Sequence, residues 1–402
     1  MDRVGKGCYQ SHEKVKIFLK LFLIISIFII ISTNITIGCK IATAQTGSSR
    51  IVIEASSKVV LSGDNIHERL PMASTTKIVT AIVAIEHCDI EQVVTIPKEA
   101  EGVEGSSIYL KAGEKLKLID LLYGLMLRSG NDSAVAIALH VGKSMDNFVQ
   151  MMNDYAAGLG LNDTHFTNPH GLHDDDHYTS AYDLAIMTAR AYENECFKQI
   201  VSCKRHDTQA IEETEQRIFY NKNKMLSIYE GGNGVKTGFT KRAGRCLVSA
   251  AERDGMQLIC VVLNRADMWG ESMSLMDNVF AKYTTIKFAE SGKPIFTLPS
   301  GIRIAADTDV SYPIYKSADI SLSYEFICEE NIQLPLSAGS KAGVMNVYGD
   351  NQLIFSTDLY TMDNISSDEQ LDYLRHYVGD WQVEYDGKTK QIFGIVRDGV
   401  PS

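Results

Sequence analysis

The stretch Pro71-Met72-Ala73-Ser74-Thr75-Thr76-Lys77-Ile78-Val79-Thr80-Ala81-Ile82-Val83-Ala84-Ile85 reads as a helix entered just after a proline. It is apolar round nearly its whole circumference, and a helix without a polar face belongs in the middle of a domain. Ser74 and Lys77 stand three residues apart, so they share one face, one turn from each other. A serine at a helix N-terminus sees the positive end of the dipole, which favours negative charge developing beside it. A lysine pointing inward from a buried helix is costly as a cation, and desolvation lowers its pKa and frees the amine to accept a proton. The pair is a candidate nucleophile and base. Taken alone it is more often a capping serine and a snorkelling lysine.

On either side of this helix the pattern is mixed. Residues 50–54 and 58–62 alternate about a small polar turn and predict a β-hairpin. Residues 118–128 predict a second helix, stopped at Ser129-Gly130, and Asn131-Asp132 can cap a third over 133–141. A polar, histidine-rich loop follows over 166–183. Residues 234–240, 246–251 and 256–263 predict three strands, the last two joined by an Asp254-Gly255 turn. A helical pattern over 271–288 closes a first domain, taken as 45–289. Residues 290–365 have the texture of a small all-β domain, whose aromatic residues near Tyr348 and Phe355 read as core, and 366–402 is a polar tail without an assignment.

Two further motifs raise the weight of Ser74 and Lys77. Ser129-Gly130-Asn131 falls where one expected helix stops and the next begins, in a loop that can aim short polar side chains into a cleft. Lys236-Thr237-Gly238, followed by Phe239-Thr240, falls on an expected strand. There a lysine and a threonine can bind a carboxylate, while the glycine lets a ligand approach the backbone closely. Serine-lysine, serine-x-asparagine and lysine-threonine-glycine, in this order, resemble the three-motif set of penicillin-binding proteins and serine β-lactamases.

Residues 71–77, 128–132, 166–172 and 235–240 resemble, more narrowly, the D-alanyl-D-alanine carboxypeptidases among the low-molecular-mass penicillin-binding proteins. The likeness runs from about residue 50 to 288 and resumes at Gly339-Ser340-Lys341-Ala342-Gly343, which is similar to that family's C-terminal domain. It implies an α/β fold: a penicillin-binding-protein/β-lactamase-like transpeptidase domain, with an antiparallel sheet and helices on both faces, followed by a small all-β sandwich. By resemblance, Ser74 is the acylated nucleophile, Lys77 its general base and Ser129 a proton relay to the leaving group. Asn131 orients the substrate amide, and Lys236 and Thr237 hold a terminal carboxylate. Gly238 admits the ligand, and the backbone N–H groups of Ser74 and Phe239 form the oxyanion hole. The substrates so implied are peptidoglycan stem peptides, with β-lactams as inhibitors and with neither cofactor nor metal. Two departures stand out. The segment Asn264-Arg265-Ala266-Asp267-Met268-Trp269 is unusual where the family often carries a carboxylate-supporting arginine, and Arg265 is the residue in question. Residues 387–402 lack the apolar face of the membrane-binding helix with which members often end.

Composition bounds the rest. The 402 residues carry 39 Lys and Arg against 50 Asp and Glu, a net −11. Residues 1–44 hold six basic and two acidic side chains, which leaves −15 for the remainder. A chain this acidic is a poor match to a nucleic-acid backbone. Lys14, Lys16 and Lys20 precede an apolar run over 21–31, and Ala42-Thr43-Ala44 follows before Gln45, the layout of a cleaved export signal over 1–44. A run of eleven residues, ten of them apolar, is too short to span a membrane, and lipidation at Cys39 fits less well because Thr36 stands where a large aliphatic residue is usual. The expected location is outside the cytoplasmic membrane. Cys88, Cys196, Cys203, Cys246, Cys260 and Cys328 form no C-x-x-C pair, and their pairing is not set by the sequence. His165, His170, His173 and His177 with Asp174, Asp175 and Asp176 have the look of a metal site, but the chemistry above needs no metal and the stretch matches the family's loop beside the active site.

A serine β-lactamase shares the three motifs, but class A enzymes add a loop glutamate that activates the deacylating water. Residues 162–177 contain none. A third reading is a non-catalytic β-lactam sensor or wall-binding protein that stays acylated, against which stand the intact Lys77, Ser129 and Lys236.

Overall fold

The expected hairpin forms from β1 (Ser49–Glu54) and β2 (Val60–Asp64), with a register shift between Val52 and Ile53, but β1 does not alternate: it is buried along nearly its whole length while β2 is largely open. A 3₁₀ turn, Ala73–Thr76, then runs without a break into α1 (Lys77–His87), and eight of that helix's eleven residues are buried. The computed structural model describes residues 47–211, 215–307, 310–317, 321–329, 332–375, 380–384 and 395–396. The expected signal segment lies outside them.

Beyond α1 come the paired short strands β3 (Val93–Thr95) and β4 (Lys115–Lys117). The helix expected over 118–128 divides: α2 (Leu118–Tyr123) is α-helical, and Gly124–Arg128 widens into a π turn. A Cβ on Gly124 would meet the side chains of Ile108 and Ser133 at 2.8 and 3.0 Å, so a larger residue there would have to displace them. Next come α3 (Asn131–Gly142), α4 (Met145–Gly158), α5 (Ala181–Tyr192) and α6 (Glu195–Ser202). Ser144, Ser180 and Asn194 cap the last three by accepting from backbone N–H groups of their first turns. A small hairpin, β5 (Arg205–Asp207) with β6 (Ile218–Tyr220), and the short α7 (Met225–Ile228) lead to β7 (Gly232–Thr240), β8 (Gly244–Arg253) and β9 (Met256–Leu263). Asp254 and Gly255 both have positive φ, as the expected two-residue hairpin turn requires.

The main sheet is antiparallel throughout, in the order β2-β1-β9-β8-β7. Its alternation divides two cores. Ile51, Ile53, Val248, Ile259 and Val261 join the core built with α1, α3 and α5. Val52, Leu247, Cys260 and Val262 join Met276 and Val279 of α8 (Met268–Lys282) on the opposite face. A sheet covered on both sides explains why β9 is almost wholly apolar rather than alternating.

The helical pattern expected to reach residue 288 ends at Lys282. Tyr283–Ala289 is strand β10, because Tyr283-Thr284-Thr285-Ile286 is rich in aromatic and β-branched side chains and finds a partner in residues 310–315. The all-β part then adds β11 (Phe296–Thr297), β12 (Arg303–Ala306), β13 (Val310–Tyr315), β14 (Ser321–Cys328), β15 (Lys341–Gly349) and β16 (Gln352–Thr361). The tail left unassigned in the sequence supplies α9 (Asp368–Arg375), β17 (Asp380–Glu384) and β18 (Ile395–Val396). A sheet in the order β11-β12-β16-β15-β14-β17-β18 packs on the β10–β13 pair, with Ile286 and Ile314 meeting Phe326 and Val347 in one core. Phe355 belongs there, its ring 5.3 Å from those of Phe288 and Tyr312. Tyr348 does not. It alternates with the buried Val347, and its hydroxyl donates to Glu325 Oε2 at 2.6 Å. Among the described residues no helix is long and apolar enough to cross a membrane, and all six cysteines of 47–402 remain thiols.

Candidate active site

The 3₁₀ turn presents Ser74 half-buried at the head of α1, and Lys77, the first residue of that helix, is fully buried. Lys77 Nζ lies 3.0 Å from Ser74 Oγ, 2.7 Å from Asn131 Oδ1 and 2.6 Å from the His170 carbonyl oxygen. Burial pushes its pKa well below the usual lysine value. The charges of Lys236 and Lys222 push the same way, and Asp132 opposes them. A neutral amine has two hydrogens and one lone pair. Asn131 and His170 offer acceptors for the hydrogens, which leaves the lone pair for the Ser74 hydroxyl.

Ser129 and Asn131 come from the junction of the π turn and α3. Ser129 closes the turn in the left-handed region (φ 65, ψ 34) and is 7% exposed. Asn131 is the first residue of α3, and its amide Nδ2 donates to the Glu104 carbonyl at 2.6 Å while its backbone N–H donates to Ser106. The neighbouring Asp132 accepts from Ser107 Oγ and from the backbone N–H groups of Ile108 and Leu110. Adjacent residues of one helix N-terminus therefore hold both the Lys77 amine and the strap 104–110 that passes over it.

The opposite wall is β7, the outer strand of the sheet. Lys236 is 2% exposed, and its Nζ donates to the Thr237 carbonyl at 2.9 Å. Burial, reinforced by Lys222, lowers its pKa to about 7. Gly238 sits tightly against the Ser74 turn: a Cβ there would stand 3.1 Å from both the Ser74 nitrogen and the Met72 oxygen, closer than ordinary contact. Thr237 is half-buried beside it, and Phe239 is 64% exposed at the rim. Ser74, Lys77 and Asn131 are thus in direct contact, and β7 is packed against the Ser74 turn. Arg265 is committed elsewhere, its guanidinium 3.7 Å from Asp64 and 3.5 Å from Glu271.

The sequence assigns Asn131 and Asp132 a capping part, but the helix already starts at Asn131 with Gly130 before it and no side-chain cap; it assigns nothing to Lys222 or to the His170 carbonyl. Asp132 lay inside the quoted motif, whereas Lys222 and a backbone oxygen carry no local signal. Of the histidine-rich loop, His177 is 3% exposed and bonded to Thr76, and His170 is held near Lys77 with its pKa lowered to about 4 by burial and by the Lys77 charge.

Comparison with known proteins places this geometry. Residues 39–267 match the family described as D-alanyl-D-alanine carboxypeptidase, and 283–367 match the C-terminal domain of penicillin-binding protein 5. The D-alanyl-D-alanine carboxypeptidase DacF of Bacillus subtilis is 28% identical over 84% of this chain and 90% of its own. DacA of Haemophilus influenzae is 31% identical over 80% and 85%. Among solved structures, penicillin-binding protein 5 from Haemophilus influenzae superposes with a TM-score of 0.63 at 30% identity, over 80% of this chain and 98% of that one.

Proposed function

The chain belongs to the serine D-alanyl-D-alanine carboxypeptidases of the low-molecular-mass penicillin-binding protein family, and from that premise we propose how its residues divide the work. Ser74 Oγ attacks the carbonyl between the last two D-alanines of a peptidoglycan stem pentapeptide, and its proton passes to Lys77 Nζ. The oxyanion that forms accepts from the backbone N–H groups of Ser74 and Phe239. Ser129 relays a proton to the departing D-alanine nitrogen and takes one in return from Lys77, Asn131 Nδ2 orients the penultimate amide, and Lys236 and Thr237 hold the terminal carboxylate. Water then cleaves the Ser74 ester and restores the serine. Since β7 is an outer strand, an extended peptide can lie along it while Gly238 leaves room for its backbone.

The observation that carries this reading is the buried Lys77 amine, 3.0 Å from Ser74 Oγ with acceptors for both of its hydrogens. A β-lactam presents the same carboxylate and carbonyl, so it acylates the same serine. Its leaving group stays tethered, and the loop over 162–177 supplies no glutamate to activate water past it. That favours a carboxypeptidase trapped by penicillin over a β-lactamase. We place the enzyme outside the cytoplasmic membrane, trimming cell-wall peptides after removal of residues 1–44.

Mass spectrometry tests this directly. Protein treated with penicillin should carry a persistent adduct on the Ser74 peptide, absent in Ser74→Ala, and untreated protein should release D-alanine from a pentapeptide. Rapid penicillin turnover with no adduct and no D-alanine release would overturn it.

A further inference from the structure

Ala73, immediately before the nucleophile, has φ +51. A residue with a Cβ pays on the order of 1–2 kcal/mol for that left-handed backbone and keeps it only where its surroundings enforce it. Two neighbours do so here. Thr76 Oγ1 donates to the Ala73 carbonyl at 2.8 Å, and Gly171 (φ +84) lies so close that a Cβ there would stand 2.0 Å from the same oxygen. The Thr76 hydroxyl has only one hydrogen, so something must direct it. His177 Nε2 lies 2.8 Å from Thr76 Oγ1, and His177 Nδ1 accepts the Thr167 backbone N–H at 3.0 Å. An Nδ1 that accepts puts the imidazole proton on Nε2. Nε2–H therefore donates to Thr76, and the threonine hydrogen is left to point at Ala73.

We propose that His177 is a positioning residue for the nucleophile: its Nε2–H tautomer orients the Thr76 hydroxyl, which fixes the Ala73 carbonyl and with it the backbone that aims Ser74 at Lys77. The loop carrying His177 then grips both ends of the serine-lysine turn, since its His170 carbonyl also holds the Lys77 amine at 2.6 Å. The imidazole is suited to a fixed part. It is 3% exposed and meets Phe166 edge-on at 5.8 Å. Burial, with His170 close by, holds its pKa at about 3; Asp174 opposes this, and His165 and His173 add to it. It stays neutral well above that pH, so it orients without exchanging protons. The proposal rests on Ser74 being the nucleophile.

The test measures acylation by a fluorescent penicillin under stopped flow, which separates non-covalent affinity from the acylation rate constant. Labelling of the wild type at Ser74 is scored first, so that failure of the nucleophile assignment is seen apart from failure of this inference. His177→Phe and Thr76→Val should each lower the acylation rate constant about 10- to 100-fold, as a misplacement on the order of 1 Å does, with affinity unchanged. Thr76→Ser, which keeps the hydroxyl, should acylate like the wild type. His177→Phe combined with Thr76→Val should lose no more than either alone. Long-range ¹H–¹⁵N spectra of the wild type should give the Nε2–H tautomer for His177, a readout that needs no variant to fold. A proton on Nδ1, or folded His177→Phe and Thr76→Val that melt earlier but acylate at the wild-type rate, would reduce His177 to a packing residue.

Discussion

Replacing Lys236 by methionine should make the protein more stable and less active at once. Lys236 is 2% exposed, and burial holds its pKa at about 7 against the ordinary 10.5. The unfolded chain keeps this proton up to about pH 10.5, whereas the folded chain releases it near 7. Between those values the unfolded state binds more protons, so stability rises with pH. The cost of burying the cation is therefore full below pH 7, shrinks by about 1.4 kcal/mol per pH unit above it, and vanishes near 10.5. It amounts to about 5 kcal/mol. Methionine fills a similar volume without charge, so urea unfolding at pH 6 should give a variant more stable by about 2–4 kcal/mol, with the advantage fading towards pH 10. Its kcat/KM for D-alanine release should fall about 10- to 100-fold, the worth of a hydrogen bond to a charged group. A variant less stable than wild type at pH 6, or a stability difference that is flat from pH 6 to 10, would refute the reasoning.

Lys77→Arg should cost about 10²–10⁴-fold in acylation, because a guanidinium keeps its proton and cannot act as base; labelling by fluorescent penicillin at a comparable rate would remove Lys77 from that role. Asp132→Ala strips the acceptor from Ser107 Oγ and from the N–H groups of Ile108 and Leu110. At about 1–3 kcal/mol for each buried donor left unmatched, thermal melts should register a loss of several kcal/mol, and an unchanged melting temperature would mean that Asp132 does not hold the strap. N-terminal sequencing of exported protein should begin at Gln45; a start at Met1 or at a modified Cys39 would contradict the export reading.

What was legible in the sequence was whatever sits in a short string with its own periodicity. The apolar circumference of 77–87 placed α1 at the centre, and Asp254-Gly255 between two apolar runs fixed the β8–β9 hairpin. The three motifs were readable because Ser74 and Lys77, Ser129 and Asn131, and Lys236 to Gly238 each occupy one turn or one strand. Residues 283–288 read as helix because Phe280 and Tyr283 continue the helical spacing of Met273 and Met276, and the partner that makes them a strand lies more than 20 residues on. His177 was visible only as one of a cluster of histidines. Its function is set by Thr76, 101 residues away, and no local pattern carries that.

The electrostatics of the cleft follow from placing lysines on both of its walls. Lys77 must be neutral to take a proton, and after burial the largest influence keeping it so is the charge of Lys236. Lys236 is also the group to which we assign the substrate carboxylate. A bound carboxylate cancels the charge that depressed Lys77, so the base that was kept free in the empty site becomes a stronger base once substrate is in place. Opposite charges at such range move a pKa by on the order of one unit or more. The acid limb of kcat/KM reports the free enzyme and that of kcat the complex. The limb for kcat should therefore lie at higher pH, and in Lys236→Met the two limbs should draw together, because the charge being cancelled is gone. Coincident limbs in the wild type, or a kcat limb at lower pH, would mean that Lys236 and Lys77 are not coupled through the substrate.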